Sequence, residues 1–270
     1  MPAEPTAAQR EQLARAVLLL ENPSFAARLA ERAGQPVNQI MKLLPRLAQD
    51  SLQGVVNVAV GQCLKLAIGS LALPVGLRRA RRPASTWLPK LLTGVTGGVG
   101  GLFGLAALPV ELPLTTTLMF RSIAQIARSE GEDLSRIQGR LACLEVFALG
   151  DRRSSGSNAV GYYAARTTVT QLTSDAAAYL MVDRGAVEVS TPVLTRLLGE
   201  IASRFGFVVT ERMAAGAVPV IAAVGSASVN MIFMEHFQRI ARGHFMVRRL
   251  ERECGAETIR RLYGELAGSS

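Results

Sequence analysis

The sequence predicts an all-α fold, a single compact multi-helix bundle whose central helices are rich in glycine and alanine and pack closely. Apolar residues recur at the spacing of an amphipathic helix along nearly the whole chain. The only alternating run typical of a strand covers residues 187–190, which is too short to build a sheet. Helix-boundary signals, such as Gly34 and the pair Thr191-Pro192, separate the apolar stretches.

Each predicted helix has a boundary that can be read from the sequence. Asn22-Pro23-Ser24 separates the first two helices, Ser135 can cap the helix that ends at Leu149, and residues 150–161 have the composition of a linker. The predicted helices cover residues 6–21, 24–33, 38–48, 51–77, 88–108, 114–130, 136–149, 164–181, a stretch opened by Thr191-Pro192, 213–250 with a bend or break near Pro219, and 257–266.

Composition limits the class of protein and its partners. Hydrophobic residues make up 49% of the 270 residues and charged residues 19%, which is apolar for a soluble protein but short of a polytopic membrane protein. The net charge of +9 favours anionic lipid head groups or nucleic acid as partners. Three widely spaced cysteines and an N-terminus without a basic signal-peptide region indicate reduced thiols and a cytoplasmic location.

Glycine is dense in the segment GVTGGVGGLFGLAALPVELP, residues 94–113. A glycine costs an exposed helix about 1 kcal/mol relative to alanine, so helices this rich in glycine need close backbone packing. Two glycine stripes are therefore expected to press together: Gly94, Gly97, Gly101 and Gly104 on one helix, and Gly54, Gly61, Gly69 and Gly76 on another. No phosphate-loop motif occurs in the segment.

Two uncharged stretches are long enough to cross a bilayer. They cover residues 91–110 and 213–234. Pro109 and Pro219 interrupt them, and charged residues flank the first, which favours packing inside a soluble or peripheral helical body over membrane insertion.

Glu111 is the most unusual polar residue, because it ends a long uncharged run. The favoured interpretation is that it caps a helix opening at Leu114; the alternatives are a buried pair with Arg121 or a contact to a ligand. His236 and His244 are eight residues apart, about 12 Å along one helix, too far to share a metal. No metal site and no cofactor are predicted.

Basic residues give the clearest partner signal. Arg78, Arg79, Arg81 and Arg82 follow an apolar stretch, an arrangement that an anionic membrane surface attracts. Three further arginines, Arg248, Arg249 and Arg252, lie on a C-terminal amphipathic helix. Nucleic-acid binding is not predicted, because no recognition motif is present and the basic residues are not interleaved with aromatic ones.

Three long motifs resemble the EcsC protein family: TGGVGGLFGLAALPVELPLTTTLMFRSIAQIARSEGEDL (96–134), RLACLEVFALG (140–150) and VPVIAAVGSASVNMIFMEHFQRIARGHFMVRRLERECG (218–255). The resemblance implies a helical, mainly bacterial protein, with residues 1–44 as an N-terminal helical extension and residues 45–267 as the family domain. Its polar positions, taken as ligand-binding candidates, are Glu111, Arg121, Glu132, Asp133, Glu145, Asn230, His236 and His244, with Glu251 as a further matching position.

The leading hypothesis is a non-enzymatic cytoplasmic protein that associates with the inner membrane surface and binds lipid or another apolar ligand among glycine-rich helices. The alternative is a hydrolase in which Glu111, Glu145 and His236, with Arg121, supply acid–base chemistry. A third hypothesis is that the protein is a regulatory partner of an ABC-type membrane transporter. It rests only on the name of the family that the sequence resembles, which comes from an operon that also encodes an ABC transporter.

Overall fold

Eight helices and no strands make up the residues that the computed structural model describes, which are 4–21, 46–69, 108–150, 161–182, 191–216 and 226–268. The all-α prediction is confirmed. The helices are α1 (Ala7–Leu20), α2 (Arg46–Gly69), α3 (Leu108–Ser129), α4 (Ile137–Leu149), α5 (Gly161–Val182), α6 (Pro192–Gly216), α7 (Ser226–Cys254) and α8 (Ala256–Gly268).

The helix α4 forms the centre of the bundle. Every residue of α4 except Gln138 is buried, and a helix that is apolar all round needs protein on every side. It contacts α2, α3, α5, α6 and α7. Any charged side chain on α4 is therefore placed inside the protein, and Glu145 is one of them.

The helix α1 lies antiparallel on α7. Gln9 Nε2 donates to Glu253 over 3.1 Å near one end of the pair. Near the other end, a Cβ atom on Gly243 would lie 2.6 Å from Leu20 Cγ, so the missing side chain lets the two helices approach. Since α1 also contacts α8, the N-terminal helix is part of the same packed body.

Three predicted boundaries differ from the structure. The third helix begins at Leu108, not Leu114, and contains Pro113. Ser135 does not cap α4, because α4 begins at Ile137 and the Ser135 hydroxyl bonds to Asp133 instead. The helical region predicted over 213–250, with a bend or break near Pro219, has no helix start at Met213: residues 213–216 end α6, α7 begins at Ser226, and Pro219 lies outside the described residues.

The three glycines of the second stripe that lie in α2 have no close neighbour in the described part of the chain. Among the described residues, a Cβ atom on Gly54, Gly61 or Gly69 would meet nothing within 4 Å. Gly76 and the stripe from Gly94 to Gly104 lie outside the described residues, as do Arg78 to Arg82, the helix predicted over 24–33 and, except for its last residue, the helix predicted over 88–108.

Among the helices described, α2 alone has a stretch long and apolar enough to cross a membrane, Leu52–Gly69, and 39% of that stretch is buried.

Candidate functional site

A carboxylic acid lies at the centre of the bundle. Glu145 projects from α4 and is only 2% exposed. Thr173 Oγ1 lies 2.5 Å from its Oε1, and Thr170 Oγ1 donates to its Oε2 over 3.2 Å. Burial raises the pKa of Glu145, against the opposing effects of the Arg248 charge, the Thr173 hydroxyl and the Arg166 charge. A titratable group is thus held in the core by two threonines of α5.

The imidazole of His244 faces this acid from α7. Its Nδ1 lies 2.9 Å from the Tyr162 hydroxyl, and its Nε2 lies 3.6 Å from Glu145 Oε2, which is too long for a hydrogen bond. Burial, followed by the charges of Arg166 and Arg248, holds the pKa of His244 well below its usual value. Tyr162, a neutral His244 and Glu145 therefore form a polar chain from α5 through α7 to α4.

The buried histidine should make folding sensitive to mild acid. Because the pKa of His244 is lowered on folding, its neutral form contributes stability above the unfolded pKa of about 6.5, and that stability is lost as the pH falls. We expect the free energy of unfolding of the wild type to fall between pH 6 and pH 5 by about 1 kcal/mol more than that of His244→Gln. Urea unfolding at each pH measures the difference; equal slopes would contradict the assignment of the effect to His244.

An ion pair covers the Tyr162 end of this polar chain. The two terminal nitrogens of Arg166, on α5, donate to the two carboxylate oxygens of Glu251, on α7, over 2.8 and 2.7 Å. Both side chains are 12% exposed, and the hydroxyl of Tyr163 donates to the same carboxylate over 3.0 Å. The guanidinium carbon lies 5.8 Å from the Tyr162 ring centroid, within cation–π range. This bidentate pair fixes α5 against α7.

A second carboxylate, Glu132, joins the turn after α3 to α7. Gly131 has φ 80°, and the N–H groups of Gly131 and Glu132 bond back to Arg128 and Ala127, which is the Schellman ending of a helix. This turn directs Glu132 toward α7, where Arg248 Nε donates to it over 2.7 Å and Arg252 also pairs with it. Burial alone would raise the pKa of Glu132, but the hydrogen bonds and charges of the two arginines lower it overall.

The C-terminal arginines are therefore engaged within the protein. Arg248 and Arg252 pair with Glu132, and Arg249 pairs with Glu130 over 2.9 Å. Each of these three arginines thus has a carboxylate partner within the protein.

Glu111 belongs to a separate polar cluster at one end of the bundle. It lies in the first turn of α3, so the prediction that it caps a helix opening at Leu114 is wrong. Its partner is Arg212 of α6, not Arg121, which is exposed; Asn230 of α7 donates to the same oxygen over 3.1 Å. Burial lowers the pKa of Arg212, and Glu111 opposes that shift.

The remaining predicted positions, His236 and Asp133, have backbone partners. His236 Nε2 lies 3.1 Å from the Gly150 carbonyl oxygen. Asp133 Oδ1 accepts from the backbone N–H of Ser135 over 2.9 Å. Glu111, Glu145 and His236 thus contact three different sets of residues, and the structure does not bring these three side chains together as the hydrolase alternative requires.

Sequence reasoning missed most of the partners of these groups. Tyr162, Arg166 and Thr173 on α5 and Arg212 on α6 carry no local motif. No feature of the sequence distinguishes Arg166 and Arg212 from the other charged residues of the same helices, such as Asp175 and Arg196.

These features define an all-α bundle with a Tyr–His–Glu chain in its core, ion pairs that join α5 and the turn after α3 to α7, and an ion pair that joins α3 to α6. The sequence model of the EcsC protein family matches residues 21–250 of the 270 residues, and the chain belongs to that family. The matched range includes Glu111, Arg212 and the whole polar chain, and it ends just before Glu251. No curated protein and no solved structure matches the chain.

Proposed function

We propose that this protein is non-enzymatic, associates with the cytoplasmic surface of a membrane and binds lipid among its helices. The observation that carries this proposal is the outer face of α2. Val58 and Leu66 on that face are 55% and 41% exposed, and Lys65 is the only charged residue between residues 52 and 69. Val58 and Leu66 share this face with the exposed polar residues Asn57, Gln62 and Lys65. A face that mixes large apolar and polar side chains suits contact with the boundary between lipid head groups and hydrocarbon.

The apolar exposure continues on α3, which packs beside α2. Cys63 Sγ lies 3.7 Å from the Thr116 carbonyl oxygen, which joins the two helices. Val110 and Leu114, one turn apart on α3, are 76% and 46% exposed. Exposed apolar side chains on two neighbouring helices are typical of a surface that contacts a membrane or another protein.

Charge supports a membrane over a protein partner. The net charge is +9, and the arginines at 78, 79, 81 and 82 follow α2 closely in the sequence. Each arginine near an anionic bilayer contributes about 1 kcal/mol of attraction. Cys63, Cys143 and Cys254 are buried free thiols, as expected in a reducing compartment, which supports the cytoplasmic side.

A change of two exposed residues on α2 tests this proposal. We expect Val58→Glu/Leu66→Glu to reduce flotation with anionic vesicles at least tenfold, because two apolar contacts are lost and two negative charges face the bilayer. Changing all four arginines at 78, 79, 81 and 82 to alanine should remove the preference for anionic over neutral vesicles.

The matched control is Met181→Glu/Val182→Glu, which places the same two charges on exposed apolar positions of α5. Flotation of this control should equal that of the wild type. A wild type that floats with neither vesicle, or an equal loss in the control and the α2 variant, would overturn the proposal.

A further inference from the structure

The cluster of Glu111, Arg212 and Asn230 contains a donor group without an acceptor. Arg212 is 6% exposed, and its guanidinium carbon lies 5.2 Å from the centroid of the Phe233 ring. Its Nη2 donates to Glu111, whereas its Nη1 is buried and none of the described residues accepts a hydrogen bond from it. A guanidinium has five N–H groups, and leaving one of them buried without an acceptor is unfavourable.

The charge of the cluster limits what that donor can bind. Glu111 and Arg212 form a pair whose side chains are 10% and 7% exposed, and the two charges cancel. A further anion would add an uncompensated negative charge to a buried site, which is costly. The acceptor that fits Nη1 is therefore uncharged, such as the carbonyl oxygen of an ester or amide.

Exposed apolar residues lie next to members of the cluster along α3 and α7. Val110 precedes Glu111, and Leu114 follows it by one turn; both are exposed. Met231, which follows Asn230 on α7, is 46% exposed. A neutral polar donor bordered by exposed apolar side chains matches a ligand with a hydrocarbon chain and one polar group.

From these observations we propose that Arg212 Nη1 donates to the ester carbonyl oxygen of a neutral lipid, with Glu111 and Asn230 holding the guanidinium in place. This inference rests on the proposed lipid-binding function and names the group that the protein recognises. It assigns Arg212, and not the carboxylate of Glu111, as the residue that contacts the ligand.

Three probes of matched chain length test the assignment. Native mass spectrometry of the full chain would measure occupancy by ethyl oleate, oleic acid and 1-octadecene. The wild type should bind ethyl oleate at least tenfold more tightly than 1-octadecene, and at pH 8 more tightly than the ionised acid. Glu111→Gln/Arg212→Met, which removes both charges at similar volume, should lose the preference for the ester.

The matched control is Glu200→Gln/Arg204→Met, which removes another ion pair of α6 and should keep the preference. An ester preference that survives in the Glu111/Arg212 variant, tighter binding of oleate than of ethyl oleate, or no binding of any probe would overturn the assignment to Arg212. Vesicle flotation of the same proteins separates the two proposals, because surface association on α2 does not require Arg212.

Discussion

Replacing Arg212 by alanine is expected to lower the free energy of unfolding by about 3–5 kcal/mol. The substitution leaves Glu111 as a buried carboxylate with Asn230 as its remaining donor. It also removes the guanidinium from the face of Phe233. Since α3, α6 and α7 meet at this pair, the loss affects three helices at once. Urea unfolding followed by far-ultraviolet circular dichroism measures the change.

The double variant Glu111→Gln/Arg212→Met separates charge from packing. Replacing a buried ion pair with uncharged groups of similar volume is often close to neutral, so we expect the double variant to lie within about 1 kcal/mol of the wild type. Equal destabilisation of Arg212→Ala and the double variant would show that packing, and not the unpaired carboxylate, is responsible.

Replacing Phe237 by alanine is expected to cost about 3–5 kcal/mol of unfolding free energy. Phe237 of α7 is fully buried, and its ring centroid lies 5.5, 5.4 and 5.3 Å from those of Phe147, Phe205 and Phe233. Its ring also packs on Gly150, where a Cβ atom would lie 2.6 Å from Phe237 Cε1. The cavity would therefore open where α4, α6 and α7 meet.

Thermal and urea unfolding of Phe237→Ala would measure this cost. Leu18→Ala is a suitable control, because Leu18 is 60% exposed and its truncation should change stability by no more than about 0.5 kcal/mol. A loss below 1 kcal/mol for Phe237→Ala would mean that the aromatic cluster collapses around the missing ring.

Some helix ends were predictable from local signals. The Thr191-Pro192 pair correctly predicts the start of α6, and the predicted helix over 6–21 corresponds to α1, which Thr6 and Gln9 begin with a capping box. The helix start predicted at Leu114 was wrong, because Pro113 is part of α3. Pro113 lies near the start of α3 and has no backbone N–H to donate. The hydrogen bond that it cannot make is the one to the carbonyl oxygen of Pro109, in the first turn of the helix.

The candidate site was predictable only in part. Glu111, Glu145 and His244 were singled out by sequence, but their surroundings depend on tertiary contacts. Glu111 and Arg212 are 101 residues apart, and Tyr162 and His244 are 82 apart. No helical periodicity connects positions so distant in sequence, so partners of this kind become visible only once the helices are packed.

The polar contacts along α7 also determine how that helix can move. From Asn230 to Arg252 they extend over about 33 Å, with partners on α3, on α4 and α5, and in the turn after α3. Apolar side chains can slide over one another at low cost, whereas each of these contacts is satisfied at a single axial position of the helix. A displacement of one residue, about 1.5 Å along the axis and 100° around it, would break them together. These contacts therefore fix the axial position of α7. A displacement of the helix at Asn230 would also disturb the contacts of Glu251.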